Sequence, residues 1–219
     1  MTNKATAIRD YRNTTFKTYD FSLNDKKEVF MSEFRKVHKT AWNVYSNIKS
    51  RQSSLNRTFK AIYHEKCVYC GINTHVIELS RFEIDHFIPQ AVLNNDLGYD
   101  RKDINGIYNL VNSCNMCNRK KSGFITDESN FLLLHPDNEF LVEIFSRLDD
   151  FSIVINNDYI KNEEVVKFYE SLNLDNQIRR LDFLIMEMKD FCEEYSTQII
   201  IPQINDLILK IEDKRRKNY

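Results

Sequence analysis

Two Cys-x-x-Cys pairs, Cys67 with Cys70 and Cys114 with Cys117, constrain this chain more than any other feature it has. A tight turn carrying such a pair presents two sulfurs to one ion, so together they supply the four thiolates of a tetrahedral structural zinc site. Gly71, directly after the first pair, permits the chain reversal that a knuckle of this kind needs. The alternative is two separate redox-active pairs, although neither lies in an evident βαβ context. The first residues, MTNKATAIRDYRN, lack the apolar stretch and small-residue cleavage site of a secretory signal, so a cytoplasmic, reducing location is expected and disulfides are not. The fifth cysteine, Cys192, falls on an apolar helical stripe and reads as a small buried side chain.

A length of 219 residues with 42% apolar content suits one domain, or a small catalytic core with attached elements. No apolar run approaches the ~20 residues of a membrane-spanning helix. The net charge of −1 hides a polarity along the chain. Residues 1–60 hold 13 Lys or Arg against 5 acids, 61–130 hold 7 against 9, and 131–219 hold 11 against 18. The basic N-terminal segment, with Arg12, Lys27, Lys49, Arg51 and Lys60 among aromatic residues, reads either as a strip along a phosphate backbone or as a solvated helix face. All four glycines, Gly71, Gly98, Gly106 and Gly123, fall in the middle segment, which marks it as the region of tight turns between helical flanks.

Apolar spacings of three and four predict a helix over 25 to about 50 and a second over 53–64. Short apolar runs between 131 and 155, separated by HPDN and LDD, predict a small hairpin. Asp175 is placed to cap a helix lined by Ile178, Leu181, Ile185, Met188 and Cys192, and a last helix follows Pro202. The tail KRRKN reads as a frayed basic end.

A closed four-cysteine site is chemically inert, so any chemistry must lie between the pairs. There the sequence RFEIDHFIPQ predicts a strand over 81–87 ended by Pro89, with Asp85 beside His86. Adjacent strand side chains face opposite ways, so these two cooperate only at an irregularity or beside a metal at the strand end. Ser113 is placed to cap a helix over 114–121 that carries Asn118 and ends at Ser122 and Gly123.

The order CxxCG, EIDHFIP, YNLVNSCNMCNRKKS resembles the HNH, or ββα-metal, endonuclease family over 67–123, about a quarter of the chain. The resemblance implies a zinc-braced ββα-metal core, here at 61–130, and with the charge and periodicity readings it gives an α+β fold in which a basic helical segment at 1–60 and a hairpin with acidic helices at 131–219 flank that core. It implies that His86 is the general base, Asp85 a ligand of the catalytic metal, and Asn109 the asparagine that orients the loop and the histidine. Asn118 stands where many members have histidine, and is implied as the second ligand. Hard oxygen donors of this kind suit Mg²⁺ or Mn²⁺, while zinc prefers the cysteines. A neutral imidazole with an ordinary pKa of ~6.5 accepts a proton from water near neutral pH. Glu83, two residues before Asp85, shares its strand face and is either a secondary metal-side carboxylate or an exposed strand acid. Arg119, Lys120 and Lys121 are expected at phosphates, or as ordinary charge at a helix C-terminus. His38, His64, His75 and His135 read as surface or packed histidines, with His64 and His75 near enough the first knuckle to touch DNA.

The implied function is a metal-dependent endonuclease acting on double-stranded DNA; a zinc-stabilised nucleic-acid-binding module without catalysis is the alternative. From LLLHPDNEF to SLNLDNQIRRLDF the chain also resembles the HNH subunits of bacterial anti-phage systems, including Septu-type and retron-linked ones. In those systems the nuclease accompanies an ATPase, which implies a docking role for the acidic C-terminal region.

Overall fold

Apolar residues at helical spacing fold the described part of the N-terminal segment into three helices. The computed structural model describes residues 8–94, 99–126 and 128–217, with α1 at Asn24–Val37, α2 at Val44–Ile48 and α3 at Ser54–Ile62. Where one helix is predicted over 25–50, two form. The chain leaves the helix after Val37, and Asn43 restarts it by accepting a hydrogen bond from Ser46 N at 2.9 Å. Asparagine side chains compete with the helical backbone from interior positions and stabilise it from the cap, which favours the break. Phe30 and Phe34 of α1 and Val44 and Ile48 of α2 still share one core, whereas Val37 faces solvent. Phe59 of α3 meets Phe30 edge-on at 5.9 Å.

The middle segment forms a ββα unit. Strand β1, Phe82–His86, pairs antiparallel with β2, Leu110–Cys114, with Phe82 opposite Cys114 and His86 opposite Leu110. The connection carries a 3-10 turn at Gln90–Asn94 and the short helix α4, Arg101–Ile104; Gly98 lies outside the described residues. Helix α5, Asn115–Lys121, leaves β2 directly. Its cap is the sulfur of Cys114, which accepts from Cys117 N, while the expected cap Ser113 donates instead to the carbonyl of Cys114 at 3.0 Å.

After the core come α6 (Glu128–Leu134), α7 (Leu141–Ile144), the hairpin β3 (Phe145–Arg147) with β4 (Ile153–Ile155), and helices α8 (Glu163–Ser171), α9 (Gln177–Glu194) and α10 (Ile201–Lys217). The predicted hairpin is present but narrower than the apolar runs, since FLLL and LVEI are helical. Helix α8 is not anticipated by the sequence reading, although Asn162 caps it. Asn176 rather than Asp175 caps α9 by accepting from Ile178 N at 2.9 Å. Its buried face includes Ile178, Phe183, Ile185 and Met186, and Cys192 is only half-buried, its thiol directed at Asn205. The KRRK run is helical to Lys217 rather than frayed, and Arg215 binds the buried carboxylate of Asp182; Asn218 lies outside the described residues.

The architecture is thus α+β, small hairpins with helices on either side and a buried cysteine cluster between them. One apolar core draws on all three segments, from Tyr11 to Leu174. Three N-terminal cations lie inside it. Arg12 donates to the carbonyls of Val68 and Pro136, Lys27 to that of Leu110 and to Asp137, and Lys60 to that of Phe82. These side chains tie elements together and are not available to a phosphate backbone. Among the described residues, no helix is long and apolar enough to cross a membrane.

Candidate metal centres and active-site recess

The knuckle at 67–72 closes through hydrogen bonds from Cys67 N to Ile72 O at 2.8 Å and from Gly71 N to Cys67 O at 2.9 Å. It brings Cys67 and Cys70 to the junction of β2 and α5, where Cys114 and Cys117 sit. The four sulfurs are buried and lie within 4.8 Å of one another. Cys70 and Cys114 are 3.9 Å apart, close to the ~3.8 Å edge of a tetrahedron with ~2.3 Å zinc–sulfur bonds. All are free thiols converging on one point, rather than two separate redox pairs. Burial pushes the Cys117 thiol well up, so a cation is needed for these sulfurs to ionise. Arg179 supplies further positive charge. Its Nη1 and Nη2 donate to Cys70 and Cys117, each at 3.1 Å, from a side chain only 2% exposed. The donor set, its spacing and its charge compensation all fit structural zinc.

At the far end of the hairpin, Asp85 and His86 are both buried but have different partners. Asp85 Oδ2 accepts from Tyr69 OH at 2.7 Å and lies 3.4 Å from Lys121 Nζ. Lys121 also donates to the carbonyls of His86 and Phe87, at 2.9 and 3.1 Å. Expected at a phosphate, Lys121 points inward and neutralises Asp85. Burial raises the Asp85 pKa and lowers that of Lys121, and each group partly offsets the other's shift.

The His86 ring packs against Tyr45 of α2, with centroids 4.3 Å apart, and its Nε2 lies 3.2 Å from Asn105 Oδ1. Burial lowers its pKa to about 4, so the imidazole is neutral at physiological pH. Asn109 does not bond to His86. Its Oδ1 accepts from Ile88 N at 2.8 Å while its Nδ2 donates to the carbonyls of Ile88 and Ile104, each at 2.9 Å, which clamps the loop leaving β1.

Asn118 donates through Nδ2 to Glu83 Oε2 at 2.8 Å, and Arg51 approaches the same carboxylate at 3.4 Å. Glu83 and Asn118, with Tyr45, Lys49 and Arg51, line a recess of about 220 Å³. Because Asn118 is held through its nitrogen, its amide oxygen is the atom available to a cation. The oxygens of Asp85, Asn118 and Glu83 are the hard donors that Mg²⁺ or Mn²⁺ takes. Arg119 and Lys120 are exposed on α5 and line a second groove, of about 320 Å³, with Asn173 and Asn176.

The other histidines do not gather here. His64 stacks on Tyr19 at 4.5 Å, and His135 packs against Phe87 and Phe131. His75 forms with Asp190 and Glu193 a second group of potential ligands, but Lys17 already pairs with both carboxylates. Sequence reading missed Tyr45, Tyr69, Asn105 and Arg179 as neighbours of these sites. Each reaches its place through tertiary packing: Tyr69 stands inside the first Cys-x-x-Cys turn, yet nothing in that pattern marks its hydroxyl as the partner of Asp85.

A family model described as HNH endonuclease matches residues 67–124, the stretch that holds both cysteine pairs, β1, β2 and α5. The chain therefore carries an HNH endonuclease domain with a buried four-cysteine cluster, and such a domain implies a phosphodiester hydrolase. Comparisons with curated proteins and with solved structures gave no match.

Proposed function

We propose that this protein is a divalent-metal-dependent endonuclease that hydrolyses double-stranded DNA. The observation that carries the proposal is a buried, neutral imidazole, His86, next in sequence to the buried carboxylate of Asp85 at the end of the first strand of a ββα unit. His86 takes the proton of the attacking water. Asp85 and the amide oxygen of Asn118 would hold Mg²⁺ or Mn²⁺, which when bound supplies Lewis-acid stabilisation of the charge that develops on the phosphate. Asn109 keeps the loop after β1 in the shape that presents His86. Lys49, Arg51, Arg119 and Lys120 are the exposed cations beside the two grooves, positioned for neighbouring phosphates. Lys121 acts from inside by holding Asp85. The cysteine cluster, loaded with zinc, braces both ends of the unit.

The sequence order after 131 supports a finer role as the nuclease of an anti-phage system, with an ATPase docked on the acidic 131–219 region. Co-purification with the product of a neighbouring gene tests that role, and a lone monodisperse nuclease counts against it.

Plasmid cleavage in Mg²⁺ or Mn²⁺, comparing wild type with zinc-replete His86→Ala, tests the activity itself. Cleavage by the wild type alone is the expected result. Equal cleavage by both proteins removes His86 from the mechanism. Tight metal-independent DNA binding without any cleavage favours a zinc-stabilised binding module instead.

A further inference from the structure

A neutral imidazole carries one proton on either of two nitrogens, and only the other nitrogen acts as a base. In His86 one of the two, Nε2, faces Asn105, a side chain 4% exposed. We propose that Asn105 is a positioning residue for the nuclease reaction: it fixes His86 as the Nε2–H tautomer and so makes Nδ1 the proton acceptor. The catalytic half of this statement rests on the nuclease reading above.

The orientation of the Asn105 amide follows from its surroundings. One end lies 3.0 Å from the carbonyl of Arg101, a backbone acceptor that cannot donate, so that end is the NH₂ group. The other end is therefore the oxygen, and its two lone pairs meet Gln90 Nε2 at 2.7 Å and His86 Nε2 at 3.2 Å. A lone pair on His86 Nε2 facing that oxygen would place two acceptors together; a proton there makes a hydrogen bond. The backbone of Asn105 holds the ring from a second direction. Its carbonyl accepts from Val44 N at 3.1 Å and Tyr45 N at 3.2 Å, at the start of α2, and Tyr45 packs on the imidazole. Edge and face of His86 are thus both referred to one residue.

Long-range proton–nitrogen correlation spectra of full-length, zinc-replete protein with isotope-labelled histidine, without Mg²⁺ and at neutral pH, read the tautomer directly. The chain has 5 histidines, and His86→Gln identifies the relevant pair of signals. A single Nε2–H form is expected in the wild type, a mixture in Asn105→Leu, and recovery in Asn105→Asp, which keeps an acceptor oxygen. In parallel cleavage assays Asn105→Leu lowers kcat by roughly 10- to 100-fold with KM for DNA unchanged, and Asn105→Asp restores most of it. An Nδ1–H form or an even mixture in the wild type overturns the proposal, whether or not any variant folds. A spectrum unchanged in Asn105→Leu overturns it as well. An Nε2–H signal lost in Asn105→Leu, in a wild type that cleaves nothing, upholds the tautomer assignment and rejects the nuclease reading.

Discussion

Arg179 reaches from α9 to place its Nη2 3.1 Å from the Sγ of Cys117, while its Nη1 sits equally close to Cys70. A four-thiolate zinc centre carries excess negative charge, and a planar guanidinium answers two sulfurs at once. Through this contact the C-terminal helices are fastened to the cysteine cluster.

Arg179→Met is expected to weaken zinc retention by about 10- to 100-fold, the usual consequence of removing a partner of metal-bound ligands. Competition with a chromogenic chelator measures it. Arg179→Lys should recover little, because one ammonium cannot span two sulfurs and the carbonyl of Leu172, which Nη2 also reaches at 3.2 Å. Wild-type retention in Arg179→Met would show that the contact is incidental.

Lys121 and Lys120 are sequence neighbours with opposite expected phenotypes. Lys121→Met leaves the carboxylate of Asp85 buried without its cation, and removal of one partner from a buried pair costs about 3–5 kcal/mol. Urea unfolding should show that loss. Lys120→Met, at an exposed position, should change stability by less than about 0.5 kcal/mol. It should instead weaken DNA binding and reduce the salt slope by about one. Equal stability of the two variants would contradict the inward role of Lys121.

This contrast shows why part of the molecule was legible in sequence and part was not. The cysteine knuckles, the strand carrying Asp85 and His86, and α5 are local patterns whose residues meet within a few positions. In Asn118, Arg119, Lys120 and Lys121 the chemistry is readable, but the inward direction of one lysine depends on helix phase and on what covers it. Likewise Arg12, Lys27 and Lys60 look like phosphate ligands in a charge count, yet each binds a carbonyl contributed by a distant element. The run FLLL reads equally as strand or helix, since a short apolar stretch has no period to separate the two. Helix α8 was legible and missed: Asn162 caps it, and Val165 and Phe168 mark its buried face.

Gly71 sits at φ +78°, where a Cβ would lie 2.4 Å from the carbonyl oxygen of Arg12. Gly71→Ala therefore combines a left-handed backbone with a collision against main chain that no rotamer relieves. A loss of about 1–3 kcal/mol is expected, with faster zinc release because the same turn positions Cys67 and Cys70. Gly123, where a Cβ meets nothing within 4 Å, is the control: Gly123→Ala should leave the melting temperature nearly unchanged. Similar melts for both variants would contradict a strained, closely packed knuckle at Gly71.

His135 gives the fold a pH dependence whose sign can be worked out. Its ring is 5% exposed and packed edge-on to Phe87 at 4.7 Å. Burial lowers its pKa from 6.5 to about 4. Between those values the unfolded chain binds the proton that the folded chain refuses, so stability rises with pH across the window. The contribution is complete above about pH 6.5 and is lost as the pH falls towards 4. At 1.36 kcal/mol per unit, the shift corresponds to about 3 kcal/mol. His86, displaced in the same direction, adds to the slope, and acidic groups also titrate near its lower end. The diagnostic quantity is thus the difference between wild type and His135→Phe, which keeps a ring in the Phe87 and Phe131 cluster and has nothing to protonate. Urea midpoints at about pH 7.5 and about pH 4.5 should fall less in the variant than in the wild type. If the two proteins lose stability in parallel, His135 is protonated in the folded state without penalty, and its neutral burial is wrong.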